Sequence, residues 1–307
     1  MRALVYKSTG SWYDTVNENG EHWRARMKGA FRIENITTTN PIAVGDWVTL
    51  QPENTEEGNT AMIAGIEGRN NFIIRQSPHN KNLNHIIAAN LDQSVLLATL
   101  KDPKTSTGFI DRFLVTSEAY HIPAILVFNK KDLWTTKEVA LFEYLKAIYT
   151  KVGYTVISIS TYTNENIDEL KTLLHNKTTL FSGHSGVGKS SLLNSMIPDL
   201  DQLTGDVSKS SGKGMHTTTF AQMFDIPEGG KIIDTPGVRE FGIVNMDKEE
   251  LAHYFPEMNA LISDCQFNNC QHIREPKCAI KQELAKENPA ISEERYLSYL
   301  NIYETLK

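Results

Sequence analysis

Asn129-Lys130-Lys131-Asp132 and, further along, Gly183-His184-Ser185-Gly186-Val187-Gly188-Lys189-Ser190 are the two strings on which the reading of this chain turns. The second is a complete G-x-x-x-x-G-K-[ST] phosphate loop, and the first is the N-K-x-D signature that reads guanine. In ordinary GTPases the guanine signature follows the phosphate loop. Here it comes first, and Asp234-Thr235-Pro236-Gly237 comes last. All parts of a GTP site are present, but the chain enters the domain at a different point, as a circular permutation would make it do.

Each string has a chemical reason. Glycines let backbone N–H groups turn inward around phosphates where a side chain would clash. Lys189 brings positive charge to the β- and γ-phosphates, Ser190 offers a hydroxyl to Mg²⁺, and the helix opening there adds its dipole. The expected phosphate-binding run is Gly183 through Ser191. Asp132 can accept two hydrogen bonds from guanine, at N1–H and the exocyclic amine. Adenine lacks that pair, and an unsatisfied carboxylate costs a factor of roughly 10⁴. Asn129 braces the loop, Lys130 lies over the base, and Ser160-Thr161 completes the base pocket. Asp234 holds Mg²⁺ through water, and the Gly237 amide senses the γ-phosphate.

Between these motifs lies Asp199–Thr219, rich in Gly, Ser and Lys, a loop of the kind that orders around a γ-phosphate. Thr217 or Thr218 is its expected Mg²⁺ ligand. Val238 stands where Ras-like enzymes place a water-orienting Gln. An apolar side chain cannot orient water, so unaided hydrolysis should be slow, and His216 is the candidate substitute.

At 307 residues two or three domains are expected. Hydrophobic residues at 40% and charged residues at 22% describe a folded chain. No apolar run approaches the roughly 18 residues of a membrane span, and Met1–Lys7 returns to polar residues too soon for a signal peptide. A cytoplasmic protein without membrane attachment is the expectation. The net charge of −6 does not advertise a nucleic-acid binder. Nor does any one segment: residues 1–68 carry six Lys/Arg against nine Asp/Glu, 69–247 carry 18 of each, and 248–307 carry seven against ten. Contact with RNA must therefore come from local patches.

The first 68 residues read as five short strands, Arg2–Ser8, Ser11–Asn17, Glu21–Met27, Asp46–Leu50 and Thr60–Ile66, broken by Asn19-Gly20, Val44-Gly45-Asp46 and Glu57-Gly58. That pattern predicts a small closed barrel of the OB type. Trp12, Tyr13, Trp23 and Trp47 either fill the barrel or stack bases, and filling is the expectation for any one of them. Arg24, Arg26, Lys28 and Arg32 are the basic concentration, with near-alternate spacing that places them on one strand face. From about Gln93 strands and helices alternate, which predicts a parallel sheet between helices, with the strand Thr178–Phe181 feeding the phosphate loop. Residues 246–307 end in a helix, Ser292–Lys307, bearing a stripe of Tyr296, Tyr299, Leu300 and Tyr303.

All three cysteines fall in one short stretch, Cys265-x4-Cys270-x-His272-x5-Cys278. An odd, clustered set argues against disulfides. Three thiolates and an imidazole suffice for a closed tetrahedral Zn²⁺ site, although the spacing is not that of a standard finger.

Together these features resemble the ribosome small subunit-dependent GTPase A (RsgA) family, over essentially the whole chain. The strings that carry the resemblance are Gly183–Ser191, Gly214-Met-His-Thr-Thr-Thr219, Asp234–Phe241 and Cys265–Ala279. The resemblance implies three units: an OB-type rRNA-binding barrel (1–68), a circularly permuted P-loop GTPase domain (69–245) and a mostly helical zinc-binding domain (246–307). It implies GTP/GDP and the small ribosomal subunit with its rRNA as partners, late subunit maturation as the task, and hydrolysis stimulated by that subunit. It also implies His216 as the catalytic group beside Lys189, and Thr218 as the switch threonine that joins Ser190 on Mg²⁺. Two departures from the family pattern are Met215, where a polar residue is usual, and the acidic barrel. A monomer is expected. The competing reading is an RNA-binding scaffold whose nucleotide is structural and barely turned over.

Overall fold

The computed structural model describes residues 1–27, 41–53, 58–76, 84–197, 200, 221–235 and 246–306. Strands β1 (Arg2–Ser8), β2 (Tyr13–Asn17), β3 (His22–Met27), β4 (Trp47–Glu53) and β5 (Thr60–Ile66) lie where the sequence places them. They pair in the order β1-β2-β3-β5-β4, and β4 returns to β1 through Arg2↔Thr49, Ala3↔Val48 and Leu4↔Trp47. Closure leaves no free barrel edge. Alternating residues turn inward to a core of Ala3, Val5, Tyr13, Ala25, Val48, Leu50, Ala61 and Ile63.

The four aromatics divide. Tyr13 is fully buried in that core, and Trp23 packs against it. Trp12 lies outside, under the guanidinium of Arg24 at 4.5 Å and near that of Arg26 at 5.7 Å. Trp47 packs toward the central unit's core, with Arg2 over its ring at 3.9 Å. His22, Arg24 and Arg26 alternate on the exposed face of β3, as the spacing requires; Lys28 and Arg32 lie outside the described residues.

The turn Val44-Gly45-Asp46 also joins the barrel to its neighbour in the chain. A hairpin of β6 (Phe72–Gln76) and β7 (Asn84–Ala89), which the strand pattern of the sequence did not reveal, abuts it. Ala89 N–H donates to the Val44 carbonyl at 2.9 Å. Gly45 has φ +92°, and a β-carbon there would stand 2.1 Å from the Ala89 oxygen, so only glycine fits. Buried Asp46 accepts from Arg69 at 2.6 Å on both oxygens.

The central unit comprises β8 (Gln93–Ala98), α1 (Thr107–Ala119), β9 (Ala124–Phe128), α2 (Thr136–Val152), β10 (Thr155–Ser158), α3 (Ile167–Leu174), β11 (Thr178–Ser182), α4 (Lys189–Met196), β12 (Gln222–Asp225) and β13 (Lys231–Asp234). Strand order is β10-β9-β8-β11-β13-β12, parallel except for the antiparallel β12. Chain order reverses between β8 and β11, so the crevice beyond their carboxyl ends is the topological switch point where α/β sheets bind ligands. Apolar side chains fill both faces, Leu96, Phe113, Leu126 and Phe128 on one and Val95, Val127, Phe181 and Ile232 on the other. Lys7 of β1 pairs with Gln222 of β12, making barrel and central sheet continuous.

The last unit is built on short helices: a 3-10 turn (Leu251–Tyr254), α5 (Pro256–Asn259), α6 (Ala279–Leu284) and α7 (Glu293–Thr305). Its core of Leu251, Phe255, Met258, Ile280, Tyr299 and Ile302 takes in Val115 from α1. Among the described residues, no helix is long and apolar enough to cross a membrane.

Candidate functional site

Parallel register brings the carboxyl ends of five strands to one edge. Phe128 is level with Ala98 and Ser158, and Phe181 with Asp234. The residue after each strand therefore enters the same crevice. Asn129 follows β9, the Ser160-Thr161 loop follows β10, Gly183 follows β11, and Asp234 closes β13.

Asn129 is fully buried and holds three loops together. Its Nδ2 donates to the Val187 carbonyl of the phosphate loop at 2.9 Å and to Thr161 Oγ1 at 3.3 Å, while its Oδ1 accepts from Thr161 N–H at 3.1 Å. Gly188 (φ +99°) lies so near that a β-carbon would stand 2.4 Å from Asn129 Nδ2. The loop that carries Asn129-Lys130-Lys131-Asp132 is thus latched to the glycine-rich loop after β11. Asp132 is exposed and accepts from the Ser160 hydroxyl, which aligns its carboxylate and leaves acceptor capacity facing outward. Lys130, left-handed at φ 64°, sends its ammonium to the Asp102 carbonyl.

The phosphate loop connects β11 to α4 as its chemistry requires. Gly183 (φ +152°) passes so close to β8 that a β-carbon would meet the Leu97 oxygen at 2.4 Å. Ser185, Gly186, Ser190 and Ser191 are exposed, and Lys189 is half-buried. His184 stacks on Phe109 of α1 with ring centroids 3.7 Å apart. Burial, helped by Lys189, lowers its pKa.

Asp234 is half-buried, with its Oδ1 atom out of contact with solvent. Burial raises its pKa against the pull of Lys189, and its Oδ1 has no hydrogen-bond partner. A buried carboxylate oxygen left unpaired beside a lysine is what a water-bound cation would satisfy, so the donor set fits Mg²⁺. His216, Thr217, Thr218, Gly237 and Val238 lie outside the described residues.

The second cluster is far from this edge in sequence. Cys265, Cys270, His272 and Cys278 each present one ligand atom, all within 4.8 Å of one another. His272 Nδ1 lies 3.6 Å from Cys265 Sγ and 3.4 Å from Cys278 Sγ. Burial pushes the Cys270 thiol up to about 12 and raises that of Cys278, and burial lowers the pKa of His272. Such a set is stable as thiols or as thiolates around a cation, and soft S₃N donors suit Zn²⁺. The loop between the ligands is tied down by backbone bonds. Glu275 accepts from the N–H groups of Gln271 and Ile273 at 2.9 Å and of Arg274 at 3.0 Å. Tyr296 and Tyr299 donate to the carbonyls of His272 (2.7 Å) and Gln271 (2.8 Å). The tyrosine stripe of the last helix is thus the outer support of the cluster.

Sequence reasoning missed the buried joint between the central and last units. Arg295, fully buried, donates to Asp111 Oδ1 at 2.7 Å and to both Glu257 oxygens at 2.7 and 3.1 Å. Burial works against its charge, but Asp111 and Glu257 outweigh that and hold the guanidinium protonated. Tyr149 donates to the same Asp111 oxygen at 3.0 Å. An Asp and an Arg 184 positions apart carry no local signal, and Phe109 and Glu275 carry none either.

The description "RsgA GTPase" matches residues 66–244, and "RsgA N-terminal domain" matches residues 3–59. A protein of Christiangramia forsetii named small ribosomal subunit biogenesis GTPase RsgA is 49% identical over 304 residues, covering 99% of this chain and 96% of its own. One of the same name from Flavobacterium johnsoniae is 50% identical, covering 99% and 93%. Among solved structures, YjeQ from Thermotoga maritima has a TM-score of 0.77 at 33% identity, covering 99% of this chain and 98% of that one. YloQ, described as a circularly permuted GTPase, has a TM-score of 0.75 at 30% identity, covering 99% and 93%.

Proposed function

The chain belongs to the RsgA GTPase family, and from that premise we propose how its residues divide the work of a GTPase in small ribosomal subunit biogenesis. It is a GTP hydrolase with a circularly permuted GTPase domain. The observation that carries the assignment of residues is the latch at Asn129, because it couples a guanine-reading loop to a phosphate loop in one crevice.

On this reading, Asp132, Asn129, Lys130, Ser160 and Thr161 take the base. Gly183–Ser191 takes the phosphates. Lys189 neutralises developing charge, while Ser190, Thr218 and, through water, Asp234 hold Mg²⁺. Gly237 senses the γ-phosphate. Cys265, Cys270, His272 and Cys278 hold one structural Zn²⁺. The units are 1–68, 69–245 and 246–307. The barrel approaches rRNA with the β3 face of His22, Arg24 and Arg26, beside Trp12. Local cations on an otherwise acidic barrel suit phosphate contacts. The protein works as a cytoplasmic monomer.

His216 supplies the water-positioning group that Val238 cannot, and docking on the small subunit brings it into place. The test is single-turnover GTP hydrolysis with and without saturating small subunits. The wild type should accelerate strongly on the subunit. His216→Ala should bind both ligands and lose most of that gain, on the order of 10²–10³-fold, below the range reached when a partner supplies the group in trans. A mutant rate within a few-fold of wild type would remove His216 from the chemistry. Absence of stimulation in the wild type would instead favour a scaffold whose nucleotide is structural.

A further inference from the structure

Helix α1 stands between the nucleotide crevice and the C-terminal unit and touches both. Phe109 and Asp111 are two positions apart, so about 200° of helical rotation sets them on opposite sides. On one side, Phe109 stacks on His184 of the phosphate loop at 3.7 Å. The loop that leads into α1 adds two contacts. Asp102 receives the ammonium of Lys130, and Pro103 lies 3.4 Å from where a β-carbon on Gly186 would stand. On the other side, Asp111 receives Arg295, Arg112 donates to Thr305 Oγ1 at 3.1 Å, and Val115 enters the C-terminal core. Removing one member of such a buried ion pair strands a charge, so this attachment is costly to break.

We propose that α1 is a positioning element for the nucleotide site: through Phe109 it seats the phosphate loop, and through Asp111 and Arg295 it makes that seating depend on the C-terminal unit. Phe109 touches no phosphate; it acts through His184. Coupling of this kind is reciprocal, so nucleotide in the crevice must tighten α7 as surely as α7 steadies the loop. The inference rests on the assignment of Gly183–Ser191 to the phosphates.

The experiment is amide hydrogen exchange across Glu293–Thr305 in the full chain, with and without saturating GDP and Mg²⁺, alongside GDP affinity. In the wild type, GDP should slow exchange in α7 several-fold. Phe109→Leu keeps apolar packing but loses the ring; it should abolish that response and weaken GDP by a few-fold. Phe109→Tyr keeps the ring and should restore both. A purely structural Phe109 would shift the melting temperature without removing the dependence of α7 on GDP. The inference falls if wild-type protein binds GDP with no change in α7, or if α7 responds equally in Phe109→Leu. Failure of the wild type to bind GDP at all would overturn the nucleotide-site assignment itself.

Discussion

The nucleotide crevice and the cysteine-histidine cluster are built on opposite plans. The crevice collects residues more than a hundred positions apart, from Asn129 to Asp234, and the register of a parallel sheet brings them together. The cluster draws four ligands from 14 consecutive residues with almost no regular structure of their own. Its loop is held by hydrogen bonds to the backbone from Glu275, Tyr296 and Tyr299, and its donor set could hold a cation. A rigid scaffold pre-organises the first site; the second, on the proposed reading, is completed by an ion. Their sensitivities should differ accordingly.

Removing the metal should separate them most. Structural zinc in small domains contributes about 10 kcal/mol or more of apparent folding energy. Chelation, or Cys270→Ser, should therefore melt the C-terminal unit early, seen as loss of near-ultraviolet aromatic signal from its tyrosines. GDP affinity should change only by the few-fold that α1 transmits. Chelation that leaves the melting curve unmoved would erase the contrast.

Asp132→Asn probes the other side. It should weaken GTP by about 10³–10⁴-fold, because the amide presents a donor where guanine presents donors, and it should favour xanthine nucleotides. The thermal stability of the unliganded protein should hardly change, because Asp132 is exposed. Competition binding with GTP, XTP and ATP reads the result, and equal ATP and GTP affinity in the wild type would refute the base assignment.

Arg295→Met tests the joint between the two regions. It leaves Asp111 and Glu257 buried without their cation, at a cost of about 3–5 kcal/mol, measurable in urea unfolding. Replacing Asp111 and Glu257 with apolar residues in the same chain should recover much of that loss. The smallest expected effect is Tyr296→Phe, which removes the hydrogen bond to the His272 carbonyl at about 1 kcal/mol. Metal release to a chelator should quicken by several-fold, with nucleotide binding unchanged.

Both sites were legible in the sequence to the extent that their chemistry is local. Residues 183–188 must be a loop between strand and helix because Gly183, Gly186 and Gly188 take φ values open to few other residues. Cys265, Cys270, His272 and Cys278 announce themselves by residue type. The barrel strands were visible because one face is buried and one is wet, which stamps a period of two on β2 and β3. The hairpin Phe72–Gln76 and Asn84–Ala89 was not, since its apolar runs lack that alternation.

The sequence by itself determined three local signatures: a glycine-rich G-x-x-x-x-G-K-S loop, an N-K-x-D string set ahead of it, and a cysteine-histidine set of soft donors, each written in a few adjacent residues. Tertiary structure decided what lies between. Asn129 meeting Val187, Phe109 meeting His184, and Arg295 meeting Asp111 and Glu257 all join side chains whose partners are fixed only once the sheet has set its strand order and register. A motif can be written in adjacent residues. A long-range contact has no local signature, because any of many surfaces could receive the same side chain until packing selects one.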